Sequence, residues 1–185
     1  MIQLWHGGSR WDGGPEVQPP KPGRCEVGPG IYLTTRYLTA REYARGGKVT
    51  TLATLRDEVR WLEQARMPLA RIEAYARETP RFPKRERILA KLSRYGDEFG
   101  RDAFPVYLFV NVCVNSDVLT GKQGVLLAQW LVEQGIDASL YDKCPGEQWV
   151  VVFNPKVIRR HEVVSATVVS LEQYDLPPIV LKHKE

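Results

Sequence analysis

The sequence predicts an α+β domain, in which a mixed β-sheet is built from both ends of the chain and helices are inserted in its middle. Short apolar or β-branched runs bounded by Gly and Pro occur near both ends, as is typical of strands. Between them, residues 57–100 carry apolar side chains near helical spacing. The length of 185 residues fits a single domain, residues 1–185.

The N-terminal elements follow from local pattern. Residues 2–5 form a short apolar run and predict a buried strand. Residues 7–30 are rich in Gly and Pro and predict a long ordered loop, which inside a compact domain is usually functional. Residues 31–34 predict a second strand, and residues 39–45 predict a helix that two glycines end. Residues 48–55 are rich in Thr and Val and predict a third strand.

The middle of the chain predicts a helical insertion over residues 57–100. Its prolines at positions 68, 80 and 83 divide it into about three helices. Further along, the strongly apolar run 104–114 predicts a strand, and residues 117–133 predict a helix. The remaining predicted elements are strands at 138–141, 149–153 and 163–171, followed by an extended segment after Asp175.

The net charge of +4 lies entirely in residues 56–101, the insertion with one arginine on each side of it. Residues 56–101 hold 12 of the 26 Lys and Arg but 8 of the 22 Asp and Glu, and the rest of the chain is balanced. Such an excess can steer a polyanion toward a surface, although a solvated helical face gives the same pattern. The densest basic cluster is Arg81, Lys84, Arg85, Arg87 and Lys91.

Several functional classes are not indicated. No apolar run reaches the roughly 18 residues that span a bilayer, and no basic region followed by an apolar stretch marks a signal peptide. Cys25, Cys113 and Cys144 are widely spaced, which predicts neither a zinc site nor a disulfide framework. A cytoplasmic protein without a metal or membrane partner is therefore expected. The glycine motifs of doubly wound and phosphate-loop nucleotide sites do not occur.

His6 follows an apolar run and is flanked by Gly7 and Gly8. Glycine allows close approach of a ligand or another backbone and leaves its amide accessible. A donor histidine beside such amides suits a ribose hydroxyl and a carboxamide. A purely structural histidine is the alternative.

Two tyrosines follow the next turn. Tyr32 lies on a predicted strand after a Gly-Pro-Gly turn, and Tyr43 lies on the helix that follows. Rings so placed can face each other and hold a flat group, with stacking worth roughly 0.5–1.5 kcal/mol per ring. Two core aromatic residues are the alternative.

Glu147 lies in a turn before a buried strand. A carboxylate in such a position can bind a sugar hydroxyl or stabilise an oxocarbenium-like centre. A solvated turn glutamate is the alternative.

Residues 4–7 and 28–33, with Tyr43 on the next helix, resemble the ADP-ribosyltransferase superfamily. The similarity is to its diphtheria-toxin-like and poly(ADP-ribose) polymerase-like branch, whose signature is His, Tyr and Glu. Residues 135–158 resemble the C-terminal third of many bacterial and phage members. The resemblance covers both ends of the chain but not residues 56–101, and it implies a split mixed β-sheet core with a helical insertion.

The resemblance implies that NAD is the co-substrate. His6 would hydrogen-bond the ribose on the adenosine side, and backbone groups of Gly7 would hold the nicotinamide carboxamide. Tyr32 and Tyr43 would stack on the nicotinamide ring. Glu147 would bind the 2′-hydroxyl of the nicotinamide ribose and stabilise the oxocarbenium character as the glycosidic bond breaks.

Two positions depart from the family pattern. Ala40 stands where the family often has a small hydroxyl residue. Counted back from residues 153–154, the position of the family glutamate falls on Trp149. Because side chains alternate between faces of a strand, Glu147 shares a face with Trp149 and Gln148 points to the other. Parity therefore favours Glu147, and Gln148 is the alternative.

The function implied is a mono-ADP-ribosyltransferase that modifies a macromolecule, with nucleic acid (RNA or DNA) favoured over protein. The small size resembles that of toxin or phage-defence members, for which an antitoxin protein covering the site is a plausible partner. The basic cluster of the insertion would contact the target. A non-catalytic NAD- or partner-binding module on the same fold is the second hypothesis, and an NAD glycohydrolase is the third.

Overall fold

The computed structural model describes residues 1–181 and contains eight strands in that range. They are β1 (Ile2–Gly8), β2 (Ile31–Thr34), β3 (Val49–Leu55), β4 (Arg66–Met67), β5 (Phe104–Pro105), β6 (Ala138–Cys144), β7 (Glu147–Val152) and β8 (Ile158–Val163). Six of them form one sheet in the order β6-β7-β2-β1-β3-β8, and β4 pairs with β5 separately.

The α+β class is confirmed, but the prediction of a mixed sheet is wrong. Every pairing between these strands is antiparallel. The only parallel bridge in the described range is an isolated one between Trp61 and Ala138. Parallel neighbours need a long crossover between them, and here four of the five helices of the described range lie together between β3 and β6 and do not link parallel neighbours.

Five α-helices occur in the described range: α1 (Tyr37–Tyr43), α2 (Leu69–Glu78), α3 (Arg85–Phe99), α4 (Val106–Asn115) and α5 (Lys122–Glu133). The last four share one buried apolar cluster, to which β7 contributes Val151 and the residue after β7 contributes Phe153. Helix α1 packs separately against β1, where Trp5, Tyr37 and Ala40 are buried together. No helix of residues 1–181 is long and apolar enough to cross a membrane.

The insertion is less helical than predicted. It contains two α-helices, α2 and α3, because residues 57–68 form a 3₁₀ turn and the short strand β4 instead. The apolar positions do follow helical spacing, with Ile72 and Ala76 buried on α2 and Ile88 and Leu92 buried on α3.

The predicted strand over residues 104–114 is wrong, since residues 106–115 form helix α4. This helix is buried on several sides, so its sequence is apolar almost throughout and lacks the periodicity that separates a helix from a buried strand. Tertiary packing here outweighs the strand preference of its valines. Helix α5 begins at Lys122, later than predicted, because Asp117 and Gly121 adopt left-handed backbone conformations with φ of 54° and 62°.

The predicted strand over residues 163–171 is also wrong. The last strand is β8, which ends at Val163 and lies at the edge of the sheet beside β3. Five of its six residues are exposed, so its polar sequence hides the strand signal. Residues 176–181 lack regular secondary structure. The end of the extended segment predicted after Asp175, residues 182–185, lies outside the described range.

A buried ionic cluster connects the start of the insertion to the residues that flank strands β6 and β7. Asp137, which has no exposed surface, accepts hydrogen bonds from Arg56 Nη2 at 2.6 Å, Arg60 Nε at 3.0 Å and Asn154 Nδ2 at 2.8 Å. The backbone amide of Arg60 donates a further bond at 3.1 Å. Burial alone would raise the pKa of Asp137, but the bonds from Arg60, Asn154 and Arg56 lower it to about 2.

The sheet is nearly divided between its two central strands. Strands β1 and β2 share a single paired position, Trp5 with Thr34. Beyond this position β1 continues to Gly8 in register with β3. Strand β1 is therefore longer than the predicted residues 2–5. Because β2 does not follow β1 past this point, a gap opens in the middle of the sheet.

Candidate functional site

A cavity of about 390 Å³ lies at this gap, between β1, β2, β7 and helix α1. Four residues that the sequence singled out line it together: His6, Gly7, Tyr32 and Tyr43. Other lining residues include Trp5, Thr34, Thr39, Ala40 and Trp149, with Lys21, Arg24, Glu26 and Lys48 among the charged ones.

Gly7 is required by the close approach of α1 to β1. A Cβ atom built on Gly7 would lie 1.7 Å from the carbonyl oxygen of Ala40. The sequence predicted that a ligand or another backbone approaches Gly7 closely, and in the structure it is the backbone of α1 that does so. The helix that carries Thr39 and Tyr43 is placed over the cavity by this contact.

We expect the variant Gly7→Ala to lose about 1–3 kcal/mol of unfolding free energy, the usual cost of overpacking. Chemical denaturation measures the loss. The control is Gly13→Ala, because a Cβ at Gly13 meets no atom within 4 Å, and surface changes of this kind usually stay within about 0.5 kcal/mol. Equal stability of the two variants would contradict this account of how α1 is held.

Tyr32 is fixed by its hydroxyl group. The hydroxyl donates a hydrogen bond to the carbonyl of Gly28 at 2.7 Å and accepts one from the amide of Val27 at 3.3 Å. Burial raises the pKa of Tyr32 well above its ordinary value. The ring meets Trp149 edge-on, with centroids 5.9 Å apart. Tyr32 therefore presents a positioned aromatic surface and not a titrating group, while Tyr43 lines the cavity from α1 and is 48% exposed.

His6 is held as a neutral ring. Its Nδ1 lies 2.9 Å from the carbonyl oxygen of Tyr32, which can only accept, so Nδ1 carries the hydrogen. Burial lowers the pKa of His6 and outweighs the opposite effect of this hydrogen bond. The Nε2 atom is thus left as an acceptor, whereas the sequence suggested a donor histidine. The ring also stacks on Trp11 with centroids 4.6 Å apart.

A further cavity of about 680 Å³ lies on the other side of His6 and Tyr32. It is lined by the loop after β1, including Arg10 and Trp11. His6 and Tyr32 border both cavities. A ligand with two bulky ends could therefore place one end in each.

Glu147 lies directly behind the wall of the first cavity. Its side chain is buried, and Oε1 accepts hydrogen bonds from Thr34 Oγ1 at 2.9 Å and from Trp149 Nε1 at 2.8 Å. Both partners, and Thr39, line the cavity. Burial alone would raise the pKa of Glu147, but hydrogen bonds from Trp149, Thr39 and Thr34 hold it below its usual value, with Arg36 contributing.

Gln148 points to the opposite face of the sheet. Its Oε1 accepts from the amide of Ile179 at 2.7 Å, and its Nε2 donates to the carbonyl of Ile179 at 3.1 Å and to Asp142 at 2.9 Å. The side-chain alternation predicted for this strand is therefore present, with the Glu147 side chain toward the cavity wall. Gln148 instead fastens the C-terminal segment to the sheet.

The basic cluster of the insertion does not line either cavity. Two of its members have structural partners: Arg85 donates to the carbonyls of Ala76 and Thr79, each at 2.9 Å, and Lys84 donates to the carbonyl of Ser116. They therefore satisfy carbonyls near the ends of α2 and α4. Arg87 and Lys91 lie on α3, and Arg81 precedes it.

Sequence reasoning missed several residues around the site. Thr34 shares a strand face with Tyr32, so the same parity that favoured Glu147 could have found it. Trp149 was noted only as a register position, although its indole binds Glu147. Trp11 gave no signal, because it lies in an irregular loop.

Compared with models of protein families, with curated proteins and with solved structures, the chain gives no match.

Proposed function

We propose that this chain is an NAD-dependent mono-ADP-ribosyltransferase that modifies a macromolecule. The observation that supports this most directly is the position of Glu147, an ionised and buried carboxylate behind a cavity lined by His6, Gly7, Tyr32 and Tyr43. The first three of these lie at the gap between β1 and β2, and α1 brings the fourth to it.

Tyr32, Tyr43, His6 and Glu147 each have a part in the proposed reaction. Tyr32 and Tyr43 bind the nicotinamide ring, and His6 Nε2 accepts a hydrogen bond from a hydroxyl of the adenosine-side ribose. Glu147 stabilises the positive charge that develops on the nicotinamide ribose. The bond from the anomeric carbon to nicotinamide breaks, and its electron pair leaves with nicotinamide. A lone pair of the acceptor forms the new bond to that carbon, and the acceptor releases a proton to solvent.

The hydrogen bonds of Glu147 also favour a second candidate, a module that binds NAD or a partner without turnover. Thr34 and Trp149 both donate to Oε1, and Glu147 is not itself among the residues that line the cavity. In this candidate the carboxylate only holds β2 and β7 together. The two functions differ in whether nicotinamide is released.

The test incubates the purified protein with NAD labelled in its adenine ring, alone and with cell lysate, and measures released nicotinamide and the fate of the label. Transfer to polymer supports the proposal, and digestion with nuclease or protease identifies the acceptor class. Free ADP-ribose without labelled polymer indicates an NAD glycohydrolase. NAD binding by calorimetry without turnover indicates the binding module. A protein that shows neither NAD binding nor turnover would contradict all three hypotheses. A cytoplasmic location and an antitoxin partner stay predictions.

A further inference from the structure

A third cavity, of about 360 Å³, is strongly basic. It lies between the end of α1, the start of β3 and the loop that follows β8. Its charged lining side chains are Arg41, Arg45 and Lys48, all three exposed cations, and no carboxylate lines it. We call these three residues the α1 basic surface.

The cations of the α1 basic surface have no partner within residues 1–181, because none forms a side-chain hydrogen bond or an ion pair there. Other arginines of the chain are engaged, such as Arg101 with Asp97 at 2.8 Å. A group of like charges repels itself, so it is favourable only when an anion or solvent compensates it. This surface therefore offers three uncompensated positive charges to a ligand.

A structural role explains only part of this surface. Arg41 lies in the last turn of α1 and Arg45 follows its C-cap, where cations complement the helix dipole by about 0.3–1 kcal/mol. Lys48 does not belong to the helix, since Gly46 and Gly47 separate it from α1. The convergence of Lys48 with the two arginines on one cavity is thus not required by the helix.

Lys48 connects this surface to the candidate site. It lines both the basic cavity and the cavity at the gap between β1 and β2. Tyr43, on the same helix as Arg41, also lines the latter. An anionic polymer lying on the α1 basic surface would therefore run past the mouth of the cavity in which the reaction is proposed.

We propose that the acceptor is a nucleic-acid strand whose phosphates bind Arg41, Arg45 and Lys48. This rests on the proposed function and relocates target binding from the insertion to the α1 basic surface. Regularly spaced phosphates suit a row of cations without acidic neighbours in the cavity. An acidic segment of a protein carries similar charge, and it is the competing outcome of the test.

The test measures binding of a short fluorescent single-stranded oligonucleotide, as DNA and as RNA, by anisotropy over a range of salt. The variant is Arg41→Gln with Arg45→Gln; Lys48 is left intact because it lines the candidate site. The matched control is Arg87→Gln with Arg94→Gln, two exposed arginines of α3. We expect about tenfold weaker binding for the first variant and a salt slope smaller by about 1.4, at about 0.7 for each phosphate that is no longer neutralised. The control should bind as the unaltered protein does.

Binding is read without NAD, so its result is independent of the proposed function. Unaltered binding by the Arg41/Arg45 variant, or an equal loss in the control, would overturn the proposed surface. Labelling of proteins alone by the unaltered chain would overturn nucleic acid as acceptor and leave the transferase proposal standing. Thermal melting and NAD calorimetry on both variants exclude a general loss of structure.

Discussion

We expect nicotinamide release to fall by about two to three orders of magnitude in the variant Glu147→Gln, while the fold and the proposed NAD binding persist. The scale is that of removing one preorganised electrostatic group from an active site. Glutamine keeps the size of the side chain and an oxygen that can accept from Thr34 and Trp149, so the hydrogen bonds at 2.9 and 2.8 Å are retained. What is lost is the negative charge that, in the proposed reaction, stabilises the developing cation. Release of nicotinamide from NAD, followed by chromatography, measures the change.

The control for this variant is Gln148→Ala. Gln148 is the neighbouring residue on the opposite face, where it binds Ile179, so its loss should leave turnover close to that of the unaltered protein. Full turnover by Glu147→Gln would remove Glu147 from the mechanism. A loss of turnover in Gln148→Ala with a normal melting curve would favour the alternative residue.

The pH dependence of nicotinamide release tests whether Glu147 acts as an ionised carboxylate. Because the pKa of Glu147 is lowered in the folded protein, the carboxylate stays ionised above the ordinary value of about 4.3. Turnover should therefore show no loss from protonation of Glu147 between about pH 5 and 8. The stability that this group contributes is present above the unfolded pKa and is lost as pH falls through the folded one.

We expect replacement of Asp137 by alanine to destabilise the fold by about 3 kcal/mol. The variant leaves two guanidinium groups and the Asn154 amide without the carboxylate that accepts their hydrogen bonds. Removing one partner of a buried ionic cluster costs about 3–5 kcal/mol, and the partial exposure of Arg56 and Arg60 places the value at the lower end. Urea denaturation measures the change. The control is Asp97→Ala, which breaks an exposed pair with Arg101 and should cost less than about 1 kcal/mol.

Acid titration tests the same cluster. The pKa of Asp137 is about 2 in the folded protein and about 3.9 in an unfolded chain. The unfolded state therefore binds a proton first as pH falls, and roughly 2–3 kcal/mol of stability present above pH 4 is lost toward pH 2. The variant Asp137→Ala lacks this loss. If both proteins lose stability with the same slope over this range, Asp137 does not carry the effect.

Local pattern predicted the elements that frame the site. The strand at residues 31–34 and the strand near 49–55 were located to within a residue, because their short runs are bounded by Gly, Pro and charged residues. Helix α1 begins and ends two residues before its predicted bounds, since Gly46 and Gly47, both with positive φ, mark only the turn that follows.

The rest depends on contacts between distant parts of the chain. Asp137 meets Arg56 and Arg60 across 81 and 77 residues, and Thr34 meets Glu147 across 113. No periodicity within a segment encodes such partners. The same holds for α4, whose apolar sequence satisfies a buried helix and a buried strand equally well, so only the surrounding helices decide its conformation.

The single pairing between β1 and β2 determines how the candidate site can change in evolution. A strand turns the amide and carbonyl of every second residue to each side, so β1 beyond Trp5 directs main-chain groups toward a gap that no strand of residues 1–181 fills. These groups are identical whichever side chains accompany them. Substitutions can therefore reshape the cavity and alter its charge while its main-chain donors and acceptors persist, and only an insertion or deletion that shifts the register would remove them.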